Sequence, residues 1–118
     1  MIFGIGVDLV DIRRFEKALE QTPKLRDRLF TESERDLPTQ SLAARFAAKE
    51  ALVKALGKAK GLSFQDVNVA KNQEGKPFFE LAGETEKTIK AEGITDLHLS
   101  LSHDGNIAVA YVIAEVTN

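Results

Sequence analysis

Apolar and polar positions change period several times along the chain, and each change predicts an element. Residues 2–10, IFGIGVDLV, are apolar on both faces and rich in β-branched side chains, with Gly4 and Gly6 interrupting, which predicts a buried strand. From residue 12 the period becomes helical: Ile12, Phe15 and Leu19 share a face behind Asp11, a suitable N-cap. Pro23 suits the first turn of a second short helix ending near Phe30. Thr31-Glu32-Ser33-Glu34 has capping-box spacing for a further helical turn, which Pro38 closes. The strongest helix spans 42–56, capped by Ser41 and stopped by Gly57, with Leu42, Phe46, Val53 and Leu56 as its apolar stripe.

The remaining chain is strand-rich. Residues 64–70 and 77–81 predict a hairpin around Asn72-Gln73-Glu74-Gly75, and 84–92 a polar surface helix stopped by Gly93. Leu97, Leu99 and Leu101 alternate with His98, Ser100 and Ser102, Asp104-Gly105-Asn106 supplies a turn, and 107–116 is apolar on both faces. One face of that last strand can pack on the long helix, and a neighbouring subunit is a natural cover for the other. The order predicts an α+β fold with a mainly antiparallel sheet in one domain, 1–118.

Composition narrows the chemistry. The chain has no cysteine, which excludes disulfides, thiolate metal sites and cysteine nucleophiles. No apolar run approaches the roughly 18 residues of a membrane span, and the N-terminus lacks signal-peptide features, so the expected location is the cytoplasm with no membrane partner. The net charge of −2 conceals an asymmetry: residues 1–60 carry twelve Lys and Arg against nine Asp and Glu, and residues 61–118 carry four against nine. Between positions 45 and 60, Arg45, Lys49, Lys54, Lys58 and Lys60 accompany one acid, Glu50. That excess favours a phosphate ligand and is too confined for nucleic acid; on its own it is also compatible with a solvated helix face.

Asp8 lies within an apolar strand, where a carboxylate is costly unless paired or bound to metal, although it could also reach solvent at the strand end. Glu50 and Lys54 share a helix face at i,i+4 spacing, which alone suits a surface ion pair. Arg45 adds a cation near that face, and Ala43, Ala47 and Ala51 leave room for a ligand or another backbone. His103 ends the leucine-bearing face of its strand, either as a packed residue or as a ligand contact; His98 has no motif around it. Two carboxylates with no cysteine suit magnesium, and two separated histidines do not suit zinc.

These residues fall in five segments: GIGVDLVDIRRF at 4–15, FTESE at 30–34, ARFAAKEALVKALG at 44–57, GKP at 75–77 and LSHDGNIAVAYV at 101–112. In content and order they resemble the holo-acyl-carrier-protein synthase family, small phosphopantetheinyl transferases. The resemblance implies transfer of 4′-phosphopantetheine from coenzyme A to a serine of apo-acyl carrier protein, releasing adenosine 3′,5′-bisphosphate. It implies that Asp8 and Glu50 ligate magnesium and that a homotrimer places three sites at subunit interfaces. One subunit would then supply Asp8 and Glu50 and its neighbour much of the coenzyme A contact.

Within that frame Glu50, directly or through a metal-bound water, is the candidate base, and Lys54, also a coenzyme A contact, would neutralise charge on the leaving phosphate or protonate it. Arg45 and His103 match coenzyme A positions of the family, Ser102 adds a hydrogen bond, and Arg14 matches its basic contact to acyl carrier protein. The family often continues Thr-Gly after Gly57, whereas this chain has Lys58-Ala59-Lys60-Gly61, whose two lysines could replace the lost contacts electrostatically. Two rival readings keep the same residues: a non-catalytic trimer binding an acidic protein or a nucleotide, and a transferase acting on megasynthase carrier domains.

Overall fold

Gly4 and Gly6 determine how the strand and the long helix meet. In the computed structural model, which describes residues 1–117, the backbone of β1 (Ile2–Asp11) lies directly on the carbonyl ridge of α3 (Thr39–Leu56). A Cβ on Gly4 would lie 1.9 Å from the Ala55 carbonyl oxygen, and one on Gly6 would lie 1.9 Å from that of Ala51. Alanine on the helix and glycine on the strand thus permit a contact that no larger pair could make. Asn118, the last residue of the expected domain, lies outside the described residues.

Between these elements the chain forms α1 (Ile12–Gln21) and α2 (Lys24–Leu29). After α3 come a 3₁₀ turn at Phe64–Asp66, then β2 (Val67–Lys71), β3 (Pro77–Leu81), α4 (Gly83–Ala91), β4 (Asp96–Asp104) and β5 (Ile107–Glu115). All strand pairings are antiparallel, in two sheets: β1-β5-β4, and the β2-β3 hairpin. The fold is α+β, as the sequence predicts, with the hairpin separate from the main sheet.

The main sheet has two unlike faces. Gly4, Gly6 and Val10 of β1 stand beside Ala114, Val112 and Ala108 of β5, and these face α3 within the core. Ile5, Val7 and Leu9 pair with Ile113, Tyr111 and Val109 on the opposite face, where Leu9 is 67% exposed and Tyr111 49%. The last strand is therefore apolar on both sides with one side uncovered in the single chain. No helix among the described residues is long and apolar enough to cross a membrane.

Several local expectations change. Helix α3 begins at Thr39, with Pro38 as N-cap in place of Ser41, because the Pro38 carbonyl accepts the first helical bond from Leu42 N–H at 3.0 Å. Pro38 thus opens the long helix and does not close the preceding turn. Thr31–Glu34 forms the expected turn, with Arg35 N–H bonded to the Thr31 carbonyl at 3.2 Å, but only half of the capping box: Glu34 takes the Thr31 N–H, while the Thr31 hydroxyl turns away to Asn68. The strand expected from residue 64 starts at Val67, since Asp66 N–H closes a tight turn on Ser63.

Other signals act as read. Asp11 Oδ1 caps α1 through Arg14 N–H at 2.9 Å, and Gly57 ends α3 in the left-handed conformation. We expect Gly6→Ala to destabilise the protein by roughly 3 kcal/mol or more, because the new methyl meets helix backbone, not a side chain that can turn aside. The urea midpoint reports it; a midpoint within error of wild type would mean that β1 and α3 can separate freely.

Candidate active site

The close approach of β1 and α3 places Asp8 beside the last turns of the helix. Lys54 Nζ donates to Asp8 Oδ1 at 3.0 Å and to the Val7 carbonyl at 3.0 Å. Asp8 is half-buried, so its pairing with Lys54 offsets the desolvation of a carboxylate within a strand. Glu50, one helical turn before Lys54, lies at the edge of the same group.

Burial holds the Glu50 carboxyl above its ordinary range; the negative charge of Asp8 pushes it further up, and Lys54 pulls it back. Asp8, Glu50 and Arg14 line one cleft of about 500 Å³, whose apolar wall includes Leu25 and Leu29 of α2 and Phe46 of α3. The carboxylates of Asp8 and Glu50 and the Arg14 guanidinium thus border one opening, with the Lys54 ammonium held on Asp8, although they come from β1, α1 and α3. Oxygen donors of this kind suit a hard cation. Among the described residues no three metal-ligating side chains converge, and a magnesium site requires only one or two carboxylates.

Arg45, Ser102 and His103 are brought together elsewhere. With Ser41 and Lys71 they line a second cleft, of about 550 Å³, that contains neither Asp8 nor Glu50. Arg45 is not a cation on the Glu50 face, as its sequence spacing suggested. Its Nε donates to the Val69 carbonyl at 3.1 Å, and the Glu34 carboxylate partly offsets the cost of burying its guanidinium. A larger concavity, about 800 Å³, lies between the hairpin and β4 and holds neither carboxylate.

The run of basic residues also resolves into separate pairs. Lys49 is completely buried against Glu34, Lys58 pairs with Glu92, and Lys54 pairs with Asp8, so the loop after Gly57 does not present two free lysines. The Lys49–Glu34 pair was missed in the sequence, yet a signal exists: Lys49 lies seven residues from both Leu42 and Leu56, on the buried stripe. His98, given no role, pairs with Glu115 at 2.9 Å.

Residues 4–112 match the model of the 4′-phosphopantetheinyl transferase superfamily. The chain belongs to this superfamily, within its holo-acyl-carrier-protein synthase family. A holo-[acyl-carrier-protein] synthase from Clavibacter sepedonicus is 53% identical over 115 residues, 98% of this chain and 97% of that one. Among solved structures, the synthase from Neisseria meningitidis superposes with a TM-score of 0.91 at 32% identity, covering 98% of this chain and 99% of that chain. The Bacillus anthracis synthase, solved in complex with CoA (3′,5′-ADP), gives a TM-score of 0.81 at 37% identity and covers 99% of each chain. The phosphopantetheinyl transferase fold thus delivers Asp8, Glu50 and Lys54 from its strand–helix contact, and Arg45, Ser102 and His103 from a different surface.

The raised Glu50 carboxyl has a consequence for stability. The folded chain keeps this proton to higher pH than the unfolded chain does, so the unfolded state binds fewer protons in the window above the ordinary carboxylate range. Stability contributed by this group therefore falls as pH rises through that window. In chelator, Glu50→Gln is expected to melt above wild type at pH 7, with the difference shrinking below the ordinary carboxylate range. Coincident melts across the whole series would remove the strain attributed to Glu50.

Proposed function

We propose that the protein transfers 4′-phosphopantetheine from coenzyme A to a serine of apo-acyl carrier protein, in the cytoplasm, giving holo-acyl carrier protein and adenosine 3′,5′-bisphosphate. The convergence of Asp8, Glu50 and Lys54 on one cleft edge, with Arg14 bordering the same opening, carries this reading. The solved Bacillus anthracis relative, in complex with CoA (3′,5′-ADP), supports the choice of donor.

In the reaction a bond forms between the serine oxygen and the pantetheine-side phosphorus, and the bond from that phosphorus to the bridging oxygen breaks. The electron pair leaves with adenosine 3′,5′-bisphosphate, and the serine proton must go to a base. Glu50, whose carboxylate borders the cleft, would accept it directly or through a water. Lys54, directed at the Asp8 edge, would stabilise the charge that develops on the leaving phosphate.

Asp8 and Glu50 would hold magnesium, whose positive charge relieves the repulsion that lifts Glu50. When bound, the ion supplies charge stabilisation to the diphosphate. Arg14, exposed on α1 beside the cleft, would meet an acidic face of the carrier protein.

The division of residues between two clefts supports a site completed by a second copy. Arg45, Ser102 and His103 would contact coenzyme A from the neighbouring subunit, and the uncovered apolar face of the β1-β5-β4 sheet would bury itself in a homotrimer.

Incubation with apo-acyl carrier protein, coenzyme A and magnesium should add one phosphopantetheine to the carrier by mass spectrometry, and Glu50→Gln should lower turnover by about a hundredfold or more. Absence of any mass gain defeats the reading. Magnesium should also strengthen coenzyme A binding in calorimetry, whereas a non-catalytic binding module would be indifferent to it.

Subunit mixing tests the shared site separately. Glu50→Gln and His103→Ala proteins, each impaired alone, should regain activity when unfolded and reassembled together, because some interfaces then join an intact Glu50 to an intact His103. If mixtures stay at the sum of the two separate activities, each site is built within one chain.

A further inference from the structure

Helix α2 forms the apolar wall of the carboxylate cleft, yet little apolar burial holds it in place. None of its six residues, Lys24–Leu29, is buried. A helix this short cannot be stable by itself, so its position depends on what its ends are tied to. Its C-terminal carbonyls, which have no partners within the helix, are met by side chains from elsewhere. Asp27 O accepts from Gln65 at 2.7 Å, Phe30 O from Arg35 Nε at 3.2 Å, and Leu29 O from Lys49 Nζ at 2.8 Å.

Lys49 is unlike the other two because it is completely buried and belongs to α3, immediately before Glu50. Its ammonium has three hydrogen-bonding protons and three oxygen partners: Leu29 O, Glu34 Oε1 at 2.6 Å and Phe64 O at 3.1 Å. Glu34, 1% exposed, also accepts Thr31 N–H at 2.9 Å and, through Oε2, Val69 N–H at 2.8 Å. The cation thereby ties the end of α2 to the helix that carries Glu50, and its carboxylate partner fixes the cation from the opposite side.

We propose that the buried Glu34–Lys49 pair is a positioning unit for the acceptor half of the site. By fixing the C-terminus of α2 it sets the distance between the Leu25–Leu29 wall and Glu50, and so governs recognition of the carrier protein but not of coenzyme A. This rests on the reading that the carboxylate cleft receives the carrier protein. The donor contacts proposed above, Arg45, Ser102 and His103, line the other cleft, which no residue of α2 enters.

Steady-state kinetics with each substrate varied in turn tests the inference on the full-length protein. Lys49→Met should raise the KM for apo-acyl carrier protein by roughly tenfold while leaving the KM for coenzyme A within about twofold. Circular dichroism and thermal melts establish whether this variant folds. Arg35→Met, which removes a partly exposed tie to the same end of α2, should shift the acceptor KM in the same direction by several-fold, and it decides the matter if Lys49→Met does not fold. Folded variants with an unchanged acceptor KM, or with both KM values rising together, overturn the proposal. A wild-type protein that transfers nothing would instead overturn the functional reading beneath it.

Discussion

The backbone contact between β1 and α3 is the constraint from which the rest of the structure follows. Ordinary side chains would hold a strand and a helix about a side-chain layer apart, and the absence of Cβ atoms at Gly4 and Gly6 removes that layer. Two results depend on this closeness. Lys54 can reach both the Val7 carbonyl and Asp8 from the helix, and the Asp8 charge can act on Glu50. Moving the strand outward would lengthen each of these contacts. The site is thus made by small residues that perform no chemistry themselves.

A second layer of polar anchors holds the surrounding helices. β2 pairs with β3 on one edge only, and its free edge is closed by α3 and the turn before it: Glu34 takes the Val69 N–H and Arg45 donates to the Val69 carbonyl. Ionic side chains here do the work of a missing neighbouring strand. Burial lowers the Lys49 pKa and contact with Glu34 raises it again, as expected for an ion pair that must remain complete. Removing one partner of such a pair costs about 3–5 kcal/mol, since the other is left buried and uncompensated. Buried charge therefore orders the segments around α3, while apolar packing forms the β1-α3-β5 layer itself.

Most of the fold was legible because local chemistry and global packing agree. Asp11, Gly57 and Gly93 act where their turn and cap preferences place them, and alternation in β4 correctly separates Leu97, Leu99 and Leu101 from the polar face. Several departures share one physical origin: a side chain finds a distant partner that its sequence neighbours do not reveal. Thr31 resembles a capping residue, but Asn68 takes its hydroxyl; Arg45 resembles a cation of the Glu50 face, but β2 takes its guanidinium. The basic run from 45 to 60 read as one field of positive charge, and three of its members instead answer Glu34, Asp8 and Glu92. Helical spacing finds the face on which a residue lies, but which partner waits there is set by tertiary structure.

The two-cleft arrangement bears on why so small a chain exposes so much apolar surface. A monomer of this size gains little from leaving Ile5, Val7, Leu9 and Tyr111 in water, and a patch of this kind on a soluble protein ordinarily marks an interface. The same chain presents carboxylates on one opening and Arg45, Ser102 and His103 on another. A phosphate ester bound there would need cations on more than one side, and this chain offers Arg14 on the cleft wall and Lys54 held on Asp8. Burial of the sheet face against a second copy would answer both needs at once, so stability and completion of the site would be gained in the same step. Assembly would then be part of the chemistry, and a separated subunit would lack a complete donor site even with every one of its own residues in place.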